Sequence, residues 1–461
     1  MSTESRSSIT LSRRSFIGGM AGASGLLAPS LLCTSKASAA APLGLHHPAK
    51  ARSVIWLYME GGPSACDTFD PKPELTKHAG QKPSQEIDVF FGSPGPLMAS
   101  PFAFKQHGQS GAWVSELFPH VAKQIDRVCF LKSCVTDSPN HGPAMYQMNT
   151  GFQRPGFPSM GAWVLYGRGS DNRDLPGFVV FPNARGSKGG PANWSNGFLP
   201  GDLQATTFRS GPSPILNLRR PDDMTAPAQR AMLDLAARMN ARHAANHAQQ
   251  DERLTAGASS LELAYRMQTA GRNVAALNDE PEHIRRLYGM DNPVTRPFAE
   301  KCLMARRLVE KGVRFVQVYC NDEWDSHNGL RKQHGDRAAE TDQPTAALLA
   351  DLAQRGLLDQ TIVVWGGEFG RMPVSEQSDG RDHNPHGFLV WMAGGGIKPG
   401  ISYGQTDEIG FKAVEKPVSV HDLHATLMHQ LGFDHERLTF HHDGRDYRLT
   451  DLSGRVITEV I

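Results

Sequence analysis

Ser53-Val54-Ile55-Trp56-Leu57-Tyr58-Met59, followed at once by Glu60-Gly61-Gly62-Pro63-Ser64, decides the fold class of this 461-residue chain. The first part is an apolar run of strand length with no polar alternation, the pattern of a strand covered on both faces. The second part is a polar turn whose glycines let backbone approach a ligand. Four more runs read the same way: Arg127–Leu131, Val313–Tyr319, Thr361–Trp365 and Phe388–Met392. Together they predict an α/β protein with a mostly parallel central sheet. Between them, residues 76–112 read as a surface excursion, and 155–214, rich in Gly and Pro, as long ordered loops. Ala226–His247 and Ser259–Thr269 carry helix-forming residues at helical spacing, inside a helical insertion at about 222–310. Thr345–Arg355 reads as a helix closed by Gly356.

The N-terminus reads as an export signal. Arg13-Arg14 precede Phe16-Ile17, then a Gly/Ala-rich apolar run to Leu32 and a small-residue cleavage site at Ala37-Ser38-Ala39. This order is that of a twin-arginine signal over residues 1–39, with a mature single domain over 40–461. The expected partner is the twin-arginine export machinery, and the expected location is periplasmic or extracellular. The apolar run is too short and glycine-rich for a membrane anchor, so no stable membrane insertion is expected. Removing residues 1–39 leaves 44 Lys+Arg against 46 Asp+Glu, and no basic stripe suggests nucleic acid. The mature cysteines, Cys66, Cys129, Cys134, Cys302 and Cys320, fit no zinc or disulfide pattern and read as buried thiols.

Chemistry gathers after the strands. Glu60 and Ser64 follow the first, Asp137, Asn140 and His141 the second, and Asp322, Glu323, Asp325 and His327 the third. Glu368 and Arg371 follow the fourth, and Arg381-Asp382-His383-Asn384-Pro385-His386 leads into the fifth. Open parallel sheets place their sites at this edge. Carboxylates with imidazoles suit zinc, manganese or iron better than calcium, and one or two such ions are expected. Taken singly, each residue reads equally as a cap or a solvated ion pair.

From about residue 43 to the C-terminus the chain resembles the bacterial family catalogued as domain of unknown function 1501. The resemblance rests on Glu60-Gly61-Gly62-Pro63-Ser64 with Asp67-Thr68-Phe69-Asp70-Pro71-Lys72-Pro73, on Trp324-Asp325-Ser326-His327, on Gly367-Glu368-Phe369-Gly370-Arg371 and on Gly380-Arg381-Asp382-His383-Asn384. That family is similar in turn to the alkaline phosphatase and sulfatase superfamily. The likeness implies a three-layer α/β/α sandwich with metals at the strand C-termini. It implies that Asp325, His327 and His383 or His386 hold one metal, with Asp382 beside them, and that Glu60, His141 and Glu368 surround a second position. His141 takes the place of the superfamily's nucleophile, with Pro143 and Gly151 at the sulfatase spacing.

The departures are specific. The nucleophile position is His141, the sulfatase Ser-Arg pair is Ala144-Met145, and Phe369 removes a second-metal ligand. His141 then reads as a metal ligand, a nucleophile or a degenerate position. Ser64 is a second nucleophile candidate or a turn cap. Arg371, Arg381 and Asn140 are candidates to hold a small anionic ester, phosphorylated or sulfated. The resulting expectation is an exported metal-dependent hydrolase of phosphate or sulfate esters. Alternatives are a catalytically silent binding or scaffold protein on the same fold, and a phosphomutase or transferase.

Overall fold

The computed structural model describes residues 43–90, 92–211, 213–246, 252–376 and 379–461. The signal expected at residues 1–39 lies outside the described residues, as does the expected end of a helix at His247. The strands of the main sheet are β1 (Ser53–Tyr58), β2 (Val128–Val135), β3 (Phe178–Phe181), β4 (Thr206–Thr207), β5 (Phe315–Tyr319), β6 (Thr361–Gly366), β7 (Phe388–Ala393), β8 (Ile401–Tyr403) and β9 (Val418–Ser419). They lie in the order β8-β2-β7-β6-β1-β5-β3-β4, with β9 also on β2. β1 is central, pairing Val54 with Phe315 on one side and Ile362 on the other.

Every pairing in this sheet is parallel except those of β7, which runs against both β2 and β6. The reason is local. After β6 the chain forms a small antiparallel ribbon, Gly370–Arg371 on His383–Asn384, and returns directly into β7. Without a crossover helix the returning strand must be antiparallel. Its N-terminal end therefore sits at the edge where the parallel strands end, which brings His383 beside Asp325 and His327.

The longer helices are α1 (His141–Thr150), α2 (Met160–Arg168), α3 (Ala226–Asn246), α4 (Glu252–Ala275), α5 (Arg296–Glu310), α6 (Leu330–Gln354) and α7 (Val420–Gln430). Side chains of β1 alternate between two cores, as a period of two requires. Ile55, Leu57 and Met59 pack with Phe298 and Leu303 of α5 and Leu348 and Leu352 of α6. Val54, Trp56 and Tyr58 pack with Met145 of α1, Trp163 of α2 and Leu427 of α7. Leu57 and Trp56 are at most 1% exposed, and each such side chain contributes about 1.5–3 kcal/mol by leaving water. The result is an α/β/α sandwich with helices on both faces of a mostly parallel sheet.

Three local readings change. The loops expected at 155–214 contain α2 and β3; β3 is only four residues, Phe-Val-Val-Phe between Gly177 and Pro182, too short to stand out by periodicity. The helix expected at Thr345–Arg355 begins at Leu330 and runs through Pro344. Leu330, His334, Ala338, Thr341, Thr345, Leu348 and Leu352 recur at three- and four-residue steps on its buried face, and that packing outweighs one missing backbone bond. Of the helical segment expected at about 222–310, α3 and α4 pair with each other, while α5 packs on β5 and β1 as part of the sandwich layer. All five described cysteines are free and buried.

Candidate metal centre

The turn after β1 knits three strand ends together. Gly61 has φ +102°, and a Cβ there would stand 2.6 Å from Trp324 N, so this position is closed to other residues. Trp324 N donates to Glu60 O at 2.8 Å, and Gly61 N donates to Glu368 Oε1 at 2.9 Å. The loops after β1, β5 and β6 are thereby held against one another. His141 is the first residue of α1, whose preceding residue Asn140 accepts from Gly142 N at 3.3 Å.

Five side chains converge at this edge. Asp325 Oδ1 lies 3.0 Å from His327 Nε2 and 3.2 Å from His383 Nε2. His327 Nε2 and His383 Nε2 are 2.9 Å apart. Asp325 Oδ2 is 3.1 Å from His141 Nε2, outside hydrogen-bond geometry. Asp382 brings a carboxylate oxygen within 4.8 Å of the ligand atoms of His327 and His383.

The far side of each imidazole fixes how it faces the cluster. His383 Nδ1 is 2.7 Å from Pro139 O, a carbonyl that can only accept, so the ring donates there. His141 Nδ1 meets Glu368 Oε1 and His327 Nδ1 meets Glu376 Oε2, both at 2.6 Å, as donors to carboxylates. A neutral ring with its proton on Nδ1 presents a lone pair at Nε2. Three such lone pairs and a carboxylate then face one another, the arrangement by which outer carboxylates and carbonyls orient metal-binding histidines. Burial lowers His383 to about 4 and keeps it neutral. The Asp325 carboxylate raises His327, and at His141 burial pulls down but Asp325 and Glu368 outweigh it. A proton and a metal ion compete for the same nitrogens.

The other expected residues fall in different places. Glu368 faces the back of His141 rather than the cluster. Both oxygens of Glu60 are occupied, Oε1 by Lys188 N at 2.7 Å and Oε2 by Asn183 Nδ2 at 3.3 Å. Burial, with the charge of Glu368, raises Glu60 to about 7. These two support the cluster from behind, where the resemblance implied a second metal position.

Ser64 is fully buried and gives its hydroxyl to Asp67, so a solvent-facing nucleophile is ruled out in this arrangement. Arg371 is spent on Gly61 O, Gly62 O, Arg381 O and Asp325 Oδ1. Arg381 is spent on Asp67, Met372 O and Met98 O. Each guanidinium is buried with four of its five N–H donors engaged inside the fold, so their expected substrate role gives way to a structural one. His386 is exposed, packs on Phe411 and stands apart from the grouped ligands. Asn140 is exposed beside His141, as a substrate contact requires.

Two participants were missed. Lys188 places Nζ 2.8 Å from both Asp325 Oδ2 and Glu323 Oε2. Its loop, Gly186-Ser187-Lys188-Gly189-Gly190, follows β3, a four-residue strand too short to carry a periodic signal. Glu376 backs His327 from a segment with no periodic signal.

Among solved structures, the chain is similar to the PsFucS1 sulfatase from Pseudoalteromonas sp., at 12% identity and a TM-score of 0.36, over 84% of this chain and 68% of that one. It is similar to the phosphonate monoester hydrolase SpPMH from Silicibacter pomeroyi, at 12% identity and a TM-score of 0.37, over 84% and 73%. It is also similar to the alkaline phosphatase from the Antarctic bacterium TAB5, at 9% identity and a TM-score of 0.33, over 78% and 96%. No curated protein matches the chain. The family model described as protein of unknown function (DUF1501) matches residues 51–461, and the chain belongs to that family.

Proposed function

We propose that this protein is an exported, metal-dependent hydrolase of phosphate or sulfate esters. One observation carries the reading. His327 Nε2 and His383 Nε2 face each other at 2.9 Å with both Nδ1 protons committed elsewhere, and Asp325 closes the triangle. Lone pairs at that distance repel unless a cation or a shared proton lies between them. Imidazoles with a carboxylate are the donor set of zinc, manganese or iron. Asp325, His327 and His383 would hold the ion, with His141 and Asp382 at its sides, and its chemistry there would be Lewis acidity toward an ester oxygen.

The chain's own residues do the rest. Glu368 and Glu376 orient His141 and His327, and Pro139 O orients His383. Asn140 stands exposed where an ester would enter. The orientation of His141, Nε2 inward, supports a ligand role over a nucleophile. The twin-arginine segment adds export of an already folded protein. The ligands come from separate segments that meet only on folding, so loading before export would control which metal enters.

A second reading, a binding protein without turnover, is favoured by one contact set: Arg371 and Lys188 both reach Asp325 and can neutralise it alone. Metal analysis of protein purified from the exported fraction separates the two. The hydrolase reading expects about one transition metal per chain. Less than that, with none regained on soaking in zinc or manganese, refutes it. Metal-loaded protein is then assayed against aryl phosphate mono- and diesters and aryl sulfates.

A further inference from the structure

Charge around the cluster is lopsided. Six carboxylates surround it: Asp325 and Asp382 lie in it, Glu368 and Glu376 back its histidines, and Glu60 and Glu323 hold Lys188 beside it. Two cations touch Asp325. Arg371 is fully buried, with four of its five N–H donors on backbone and Asp325, and is closed off from solvent. Lys188 is different: its side chain is 33% exposed and its ammonium bridges Glu323 and Asp325. An ammonium has three N–H donors, and these two contacts leave one to spare. Glu323, 27% exposed, stands at the same mouth. A divalent ion with two side-chain cations does not offset six carboxylates, and excess negative charge in a half-closed site repels anions in proportion to their charge.

We infer that the site takes esters bearing a single negative charge, a sulfate monoester or a phosphodiester, and that Lys188 is the residue that holds the anion. This rests on the hydrolase reading above. Lys188 fills the role that Arg371 and Arg381 cannot, and Glu323 sets the charge limit. A phosphate monoester, doubly charged at neutral pH, meets Glu323 with no second accessible cation among the described residues that touch the cluster.

The test is calorimetric titration of the zinc-loaded protein at pH 8 with methyl sulfate, dimethyl phosphate and methyl phosphate, the last a dianion. Both monoanions should bind at least about tenfold tighter than methyl phosphate. Lys188→Met should weaken monoanion binding about tenfold while zinc content stays unchanged, and Glu323→Gln should tighten methyl phosphate by about tenfold. Equal or tighter binding of methyl phosphate by the parent protein overturns the inference. So does Lys188→Met with parental affinity, or Lys188→Met that loses its zinc, which would make Lys188 structural. Failure of the parent protein to take up metal is seen before any anion is added, and it sinks the hydrolase reading instead. Turnover of 4-nitrophenyl sulfate against bis(4-nitrophenyl) phosphate then separates the two monoanionic sources.

Discussion

Replacing Arg381 by Met tests whether this arginine is structural or meets substrate. Arg381 and Asp67 have side chains 0% exposed, with Nε to Oδ2 at 2.7 Å and Nη2 to Oδ1 at 3.3 Å. The guanidinium also holds Met372 O at 3.1 Å and Met98 O at 2.9 Å. At Asp67, burial raises the carboxyl pKa, but Arg381 outweighs it and the net shift is down. Methionine fills similar space but leaves a buried carboxylate without its cation, at a cost of about 3–5 kcal/mol. That is a fifth or more of a typical folding free energy of about 5–15 kcal/mol. In the variant the largest opposition to the burial of Asp67 is gone and only the Ser64 hydroxyl and His334 still favour the carboxylate, so its folded pKa rises. The folded variant then binds the extra proton, and its deficit shrinks as pH falls. The double variant Asp67→Asn/Arg381→Met should recover about 2 kcal/mol of the loss, because no charge remains stranded. Urea unfolding followed by tryptophan fluorescence at pH 8 and pH 5 measures all three. A loss below about 1 kcal/mol, the same at both pH values, would refute the reasoning. If such a stable variant instead showed a raised KM for an ester, Arg381 would be a substrate residue.

Further outcomes follow from the same geometry. His327→Ala and His383→Ala should each cut metal content while leaving the fold intact, and full metal retention in both would dismantle the proposed centre. His141→Ala should lower metal affinity, whereas full metal content with no turnover would make His141 the nucleophile. Chelation of the loaded protein should lower Tm, and re-addition should raise it in a concentration-dependent way, because an ion bound only by the folded state stabilises it by mass action. Gly380→Ala would drive a Cβ into His327 O and should displace the His327 loop, read as lost metal content; unchanged content would argue against the close approach. His334, fully buried, is held at about 3 mainly by burial. Its unfolded ring binds a proton below about 6.5, so stability present above that pH falls by about 2 kcal/mol between pH 7.5 and 5. His334→Gln should flatten that slope, and an unchanged slope would exclude His334 as its source.

Much of the site could be read along the chain. Glu60, His141, Asp325, His327, Glu368 and His383 each follow or precede an apolar run, and the rule that parallel sheets gather chemistry at one edge puts them together. Five strands were legible because continuous apolar runs are the direct consequence of cover on both faces. β3 was not, because four residues between Gly177 and Pro182 carry no period, and Lys188 was lost with it. The antiparallel course of β7 was equally hidden, since strand direction depends on how the chain returns and leaves no mark in the run itself.

Five strand runs, the sheet edge and the residue types of the centre were legible along the chain, because apolar period and turn chemistry act over a few residues. Only the tertiary structure decided what each group spends its bonds on. Arg371, Arg381 and Ser64 looked like chemistry and are consumed by Gly61 O, Asp67 and their neighbours. Glu60 and Glu368 looked like ligands and serve behind them. Lys188 looked like loop and stands at the mouth. Hydrogen bonds and ion pairs across more than a hundred residues of chain have no local signature. A residue's role at this centre is therefore set by its partners, which exist only once the strand ends have met.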